Sequence, residues 1–207
     1  NDLGAKYYLV TGDSTPNYNY LNLSLNNQNW DLVIVDNPNY FTLDPYYEEF
    51  IDYVNSGGHF ILSYFDMDAT PTHPIWPFLG CQYNSTFITE PPVFIWDAGH
   101  PVFTQPHNYG ADNFTFGTAY TDDGDTVEVF PNATALAGLS ITPEVNQSII
   151  VLRNDEQTLY NSYIIDSFTD DLDDSTYADN FELWKNEIAF MMRPKLEFDI
   201  TVPAEAE

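Results

Sequence analysis

The chain carries one cysteine, Cys81, and four histidines, His59, His73, His100 and His107. A catalytic cysteine acts as a thiolate paired with an imidazole base, and a carboxylate orients that base. No spacing in the sequence fixes a histidine beside Cys81. His73-Pro74 and His100-Pro101 are His-Pro pairs, a type that punctuates backbone turns more often than it moves protons. A helical zinc motif such as His-Glu-X-X-His is absent, and Pro101 and Pro106 intervene between His100 and His107.

Carboxylates are the abundant reactive groups. Asp122-Asp123-Gly124-Asp125 and Asp170-Asp171-Leu172-Asp173-Asp174 gather hard oxygen ligands of the kind calcium takes. Asp122, Asp123, Asp125, Asp170, Asp171, Asp173 and Asp174 are therefore the calcium candidates. Neither run has the alternate spacing of an EF-hand loop, and a solvated acidic turn or a charged helix start explains the same residues. A second group, Asp13, Asp36, Asp66, His73 and His100, marks a candidate ligand cleft. The three aspartates follow apolar runs that read as strands, and open α/β sheets bind ligands at the carboxyl ends of their strands.

The third chemistry is modification. Five Asn-X-Ser/Thr sequons occur, at Asn22, Asn84, Asn113, Asn132 and Asn146. Residue frequencies alone would give roughly two or three such motifs. The excess predicts N-linked glycans and an exterior location.

The elements that must position these residues alternate through the first ninety positions. Lys6–Thr11, Asp31–Val35 and His59–Tyr64 are apolar runs that predict buried strands. Tyr18, Leu21 and Leu25 predict a short helix between the first two. A second helix has Asp44 as its cap, Pro45 in its first turn, and Tyr47, Phe50, Ile51 and Val54 on one face. Ser56-Gly57-Gly58 ends it. Strands that alternate with helices imply crossover connections, a parallel sheet and helices on both faces.

A short helix, Ile75–Leu79, follows Pro74 and stops at Gly80. Cys81–Ile88 and Val93–Trp96 read as strands, and Gly99-His100-Pro101 as a turn. The second half predicts strands at Phe114–Thr118, Val127–Phe130, Ser148–Leu152 and Tyr160–Ile165, joined as hairpins. A last helix, Asp179–Met192, would present Phe181, Trp184, Ile188 and Met191 to the core. Lys195–Val202 alternates as an edge strand. The expectation is a three-layer α/β sandwich with a mainly parallel, flavodoxin-like sheet and antiparallel strands added in the second half. It forms one domain over residues 1–202, with a core at 5–90, an elaborated part at 91–202 and a linker at 203–207.

Charge bounds the partners. Five Lys and Arg stand against 32 Asp and Glu, a net charge of −27. Such a surface repels phosphate backbones and anionic headgroups, so nucleic-acid binding is excluded as an expectation. It attracts cations and basic proteins, or serves solubility in a salty exterior. A single cysteine gives no disulfide framework within the chain. No run reaches the ~18 apolar residues of a membrane helix, so no membrane insertion is expected. The start at Asn1 is expected to reflect a removed signal peptide or a longer parent protein, which the linker-like end would continue.

The pattern Asp31-Leu-Val-Ile-Val-Asp36, then Tyr53-Val-Asn-Ser-Gly-Gly-His-Phe-Ile-Leu62, then Pro77-Phe-Leu-Gly-Cys81 resembles the class I glutamine amidotransferase-like superfamily. Its ThuA-like members and GldG-type extracytoplasmic domains are the most similar. Gly99-His100-Pro101-Val102 and the helix through Leu183 to Ile188 also fit, so the resemblance covers about two-thirds of the chain in pieces. The resemblance implies a Gly-X-Cys-X-Gly nucleophile at a strand-to-helix turn in true amidotransferases. Here Leu79-Gly80-Cys81-Gln82-Tyr83 is a helix-to-strand turn without the second glycine. Cys81 accordingly reads as a small buried hydrophobe.

With that nucleophile missing and sequons present, the expected function is noncatalytic. The chain reads as a glycosylated extracellular module of an archaeal or bacterial surface-layer, filament or membrane-anchored complex. Its partners would be proteins or further copies at the cell surface. No cofactor is required beyond N-linked glycans, with calcium as a candidate. The alternatives are a hydrolase or transferase at the sheet's carboxyl edge, and a calcium-dependent carbohydrate-binding module with exposed aromatics such as Trp76, Trp96 and Tyr46-Tyr47.

Overall fold

The computed structural model describes residues 25, 29–37, 43, 46–87, 92–108, 113–114, 124–165 and 179–193. Nine strands and four α-helices are described: β1 (Leu32–Asn37), α1 (Tyr47–Asn55), β2 (His59–Tyr64), α2 (Ile75–Leu79), β3 (Cys81–Phe87), β4 (Val93–Ile95), α3 (Pro101–Thr104), β5 (Asn113–Phe114), β6 (Gly124–Val129), β7 (Ala133–Gly138), β8 (Ser148–Arg153), β9 (Thr158–Asn161) and α4 (Asp179–Met191). The expected strand at 6–11 and the edge strand at 195–202 lie outside the described residues, as does the helix around Tyr18 except for Leu25, which is helical and packs against the core.

All nine strands join one sheet in the order β1-β2-β9-β8-β7-β4-β5, with β6 on β8 and β3 on β6. The β1–β2 and β2–β9 ladders are parallel. The ladders that the second half contributes, β8–β9, β7–β8, β4–β7 and β4–β5, are antiparallel, as are β3–β6 and β6–β8. Strands from both halves of the chain thus share one three-layer α/β structure. β7 was not expected: Ala133-Thr-Ala-Leu-Ala-Gly138 has Thr134 as its single β-branched residue and no aromatic one to advertise a strand.

Alternation along the strands sorts the core into two layers. Phe60, Leu62 and Tyr64 of β2 and Tyr160 of β9 face α1 and α2. Ile61 and Leu159 face the other layer, with Val102 and Phe103 of α3 and Leu183, Phe190 and Met191 of α4. α1 buries Tyr47, Phe50 and Val54, the spacing expected of its apolar face. Its N-cap is Tyr46, whose side chain makes no capping bond, while Asp44 and Pro45 lie outside the described residues. α2 ends at Gly80 in the left-handed region, φ +90°. A side chain there would be strained, and its Cβ would collide with Ala133 of β7.

α4 departs from the sequence expectation. Its buried residues are Asp179, Glu182, Leu183, Asn186, Glu187, Phe190 and Met191. Phe181 is exposed, and Trp184 and Ile188 are only partly buried. The helix turns a stripe of mixed polar and apolar residues inward, Glu187 toward the sheet and Glu182 and Asn186 toward His107.

Candidate functional site

The polar edge follows from strand register. Asp36 of β1 pairs with Ser63 of β2, and Ser63 pairs with Asn161 of β9. These neighbours share a sheet face at the carboxyl ends of the parallel strands. Leu32 and Ile61, four and two residues away along the alternation, pack with α4, so this row lies on the α4 side. Ser63 Oγ donates to the Tyr163 carbonyl at 3.2 Å. Asn161 Nδ2 donates to Glu187 Oε2 of α4 at 3.1 Å.

Glu187 is fully buried. Burial pushes its carboxyl up to about 8; the Asn161 bond opposes the rise and the negative charge of Asp36 adds to it. At neutral pH Glu187 therefore holds its proton. Its Oε1 has no hydrogen-bond partner among the described residues. The neutral acid lies buried beneath this edge, and the exposed Asp36 carboxylate acts on it through its charge.

Of the expected cleft residues, Asp36 belongs to this edge and the histidines do not join it. His73 Nδ1 accepts the Ile75 N–H at 3.2 Å, and its ring lies 4.4 Å from that of Tyr47, in the α1–α2 layer. His100 caps α3, its Nδ1 accepting the Val102 N–H at 3.3 Å. Its ring lies 4.8 Å from Phe190 of α4, in the opposite layer. Burial lowers the His100 pKa, with Asp97 pulling it back up. Each imidazole accepts a backbone N–H two residues ahead, and the sheet separates them. Asp66 follows β2 and receives the Tyr64 hydroxyl at 3.5 Å. Asp13 lies outside the described residues.

The calcium candidates fare similarly. Asp125 is fully buried. Its Oδ2 accepts the Met67 and Asp68 N–H groups at 2.7 and 3.2 Å, and its Oδ1 accepts from Thr86 Oγ1 at 2.9 Å. This carboxyl fastens the 3₁₀ turn Met67–Ala69 to β3. Burial, aided by the charge of Asp68, raises it to about 7 against those three hydrogen bonds. Asp122, Asp123, Asp170, Asp171, Asp173 and Asp174 lie outside the described residues. Among the described residues no three His, Cys, Asp or Glu side chains are grouped to hold a metal.

Cys81 opens β3 in the α1–α2 core, fully buried, and desolvation pushes its thiol well above the ordinary range. It is the small core hydrophobe the sequence suggested.

Two polar features were not anticipated. Glu187 is one. The other is the junction of His107 with α4: the Asn186 side chain both accepts the His107 N–H and donates to the His107 carbonyl, at 2.8 Å each. Glu182, also buried, lies 3.1 Å from His107 Nδ1. The signal was present as Glu182, Asn186 and Glu187 at helical spacing, but an apolar-face reading discards acids.

Among the sequons, Asn84, Asn132 and Asn146 are exposed and Asn113 is half-buried; Asn22 lies outside the described residues. Asn84 and Asn146 are neighbours, Asn84 Nδ2 donating to the Asn146 carbonyl at 3.0 Å. Asn132 stands apart, on a shallow groove of about 450 Å³ lined also by Pro77, Phe78, Arg153, Asn154 and Asp155.

The architecture defines a three-layer α/β protein with an open mixed sheet. No protein-family model and no curated protein matches the chain. Among solved structures it is similar to the mmIFT52 N-terminal domain, with 14% identity and a TM-score of 0.51, covering 81% of this chain and 79% of that one. It is also similar to the beta-galactosidase from Bacillus circulans sp. alkalophilus, with 11% identity and a TM-score of 0.44, covering 78% of this chain and 21% of that one. At 14% identity the first of these likenesses carries the fold alone.

Proposed function

We propose that this chain is a noncatalytic, N-glycosylated module of an extracellular assembly, of the kind found in surface layers, filaments or membrane-anchored complexes. The observation that carries the reading is the exposure of Asn84, Asn132 and Asn146 on a chain of net charge −27. Exposure gives a glycan somewhere to stand. Strong negative charge suits a soluble surface that binds basic or cation-bridged partners. Those partners are proteins or further copies of the chain, and no described helix is long and apolar enough to cross a membrane. In this reading the sequence motifs resemble those of the non-amidotransferase members of the class I glutamine amidotransferase-like superfamily. Glycopeptide mass spectrometry on native protein tests it. Glycan mass on these asparagines is expected; a bare polypeptide from its native source would sink the proposal.

A second reading has its own observation. The protonated Glu187 beside Asp36 supports a hydrolase or transferase at the carboxyl edge. A panel of chromogenic glycosides and esters, assayed between pH 5 and 9 as order-of-magnitude bounds on that titration, separates the two. Turnover that Glu187→Gln abolishes would favour the enzyme.

A further inference from the structure

We propose that the groove beside Asn132 holds the first sugar rings of the N-linked glycan that Asn132 itself carries. The inference rests on the glycosylation reading above and deepens it. Asn132 is the only sequon asparagine among the groove's lining residues, so a glycan leaving its Nδ2 begins at the groove wall. Asn84 and Asn146 sit together elsewhere.

The attachment point is held in place. The Ala133 N–H closes the β6–β7 turn onto the Phe130 carbonyl at 3.0 Å. The turn is tied to the one after β8: the Asn154 N–H donates to the Asn132 carbonyl at 2.9 Å, and Asn154 Nδ2 donates to the Pro131 carbonyl at 3.1 Å. Thr134, the hydroxyl residue of the sequon, donates to Asn154 Oδ1 at 2.9 Å. A sugar ring linked here would start from a fixed position and lose little freedom on docking.

The lining matches a neutral sugar. A pyranose has an apolar C–H face and a rim of hydroxyls. Pro77 and Phe78 supply apolar surface, and Asn154 and Asp155 supply polar groups. The Arg153 guanidinium lies 4.6 Å from the Phe78 ring centre and donates to the Phe78 carbonyl at 3.3 Å, which steadies the aromatic residue. Arg153 also makes a two-pronged bond to Asp155, at 2.7 and 2.6 Å. That pairing neutralises its charge, so the groove does not select a free anion.

The test is a double-variant cycle in the glycosylating native host, with glycopeptide mass spectrometry on each protein. Phe78 packs against the core, so Phe78→Leu alone lowers the melting temperature whatever the glycan does. The informative quantity is the further shift from Asn132→Gln. It is expected to be a loss of about 2–4 °C in the otherwise natural chain and less than half of that in the Phe78→Leu background. In protein made without glycans, the difference between the two backgrounds should vanish. Equal shifts with Asn132 occupied would overturn the inference and leave the glycosylation reading standing. A bare Asn132 beside an occupied Asn84 or Asn146 would do the same. Bare asparagines at all three would overturn both.

Discussion

Asn161 Nδ2 donates to Glu187 Oε2 across 3.1 Å, and this bond joins the end of β9 to the middle of α4. It accounts for the inward turn of Glu187, while Glu182 and Asn186 turn inward to meet His107. The sheet edge beneath the helix offers the buried Asn161, and a purely apolar helix face would leave its Nδ2 without this partner. Glu187 satisfies Asn161 but carries its own carboxyl into the core. The carboxyl answers by keeping its proton.

That proton makes stability depend on pH in a definite direction. The Glu187 pKa is raised from 4.5 to about 8 in the folded chain. Between those values the folded state holds a proton that the unfolded state has released. The group's contribution is fully present at low pH, below the unfolded pKa, and falls as pH rises, by about 1.4 kcal/mol per pH unit at most. Glu187→Gln keeps an amide oxygen for Asn161 Nδ2 and removes the titration. Urea unfolding near pH 5 and near pH 8, spanning roughly the titration range, should show the natural chain losing more stability than the variant. Equal losses would mean that Glu187 is ionised in the fold.

Asp125 gives a parallel case at a different place. Its pKa is raised from 3.8 to about 7, so it too favours the folded state at lower pH and loses that contribution as pH rises. Asp125→Asn can keep an oxygen toward the Met67 and Asp68 N–H groups and turn its amide N–H toward Thr86 Oγ1. The variant should hold or gain stability at pH 8, whereas Asp125→Ala should lose about 1–3 kcal/mol by orphaning those donors. Denaturation midpoints of the three proteins at one pH decide it. An Asn variant as weak as the Ala variant would show that the charge itself is needed.

How far the sequence foretold this depends on what each residue type advertises. β2 was legible to its ends, since His59–Tyr64 is an apolar run closed by Gly57-Gly58 and Asp66. α1 was legible because Tyr47, Phe50 and Val54 keep helical spacing and a glycine with φ +101° follows. The three-layer architecture followed from that alternation. β7 was hidden by its small residues, which the structure uses to let Trp96 and α2 approach. The inward face of α4 was hidden because burial usually excludes acids, and here hydrogen bonding and proton uptake offset the cost. The site fared as its parts did. Asp36 does stand at a carboxyl edge, but its companions are Ser63, Asn161 and Glu187, set by strand register that no local pattern reveals.

Asn186 tests the packing of α4 against the segment that follows α3. Its two 2.8 Å bonds replace a backbone partner for His107 on both sides. Asn186→Ala should cost about 1–3 kcal/mol, because a half-buried N–H and carbonyl lose their partner together. Asn186→Asp keeps the acceptor, loses the donor and adds charge near Glu182 and Glu187, so it should cost at least as much. Hydrogen exchange should report the same event locally, with the His107 amide losing protection in Asn186→Ala. Unchanged protection there would mean that the pair does not hold the segment.

Gly138 tests whether the small residues of β7 are required. It pairs with Phe94 of β4 on one side and Ser148 of β8 on the other. A Cβ at this position would overlap the Cζ2 and Cη2 atoms of Trp96 and the carbonyl oxygen of Gln147. The indole is not free to swing aside, since Trp96 Nε1 donates to the Ser140 carbonyl at 2.8 Å. The Gln147 carbonyl is backbone and accepts from the Leu139 N–H at 3.0 Å. Gly138→Ala should therefore cost about 1–3 kcal/mol through overpacking and displace the indole. Gly99→Ala is the matched control, because its added Cβ would meet only Asp97 Oδ1, at 3.8 Å. Thermal unfolding followed by tryptophan fluorescence reads both effects. If Gly138→Ala melts with the control and leaves the emission unchanged, Trp96 does not pack on this glycine, and β7 owes its small residues to something other than close approach.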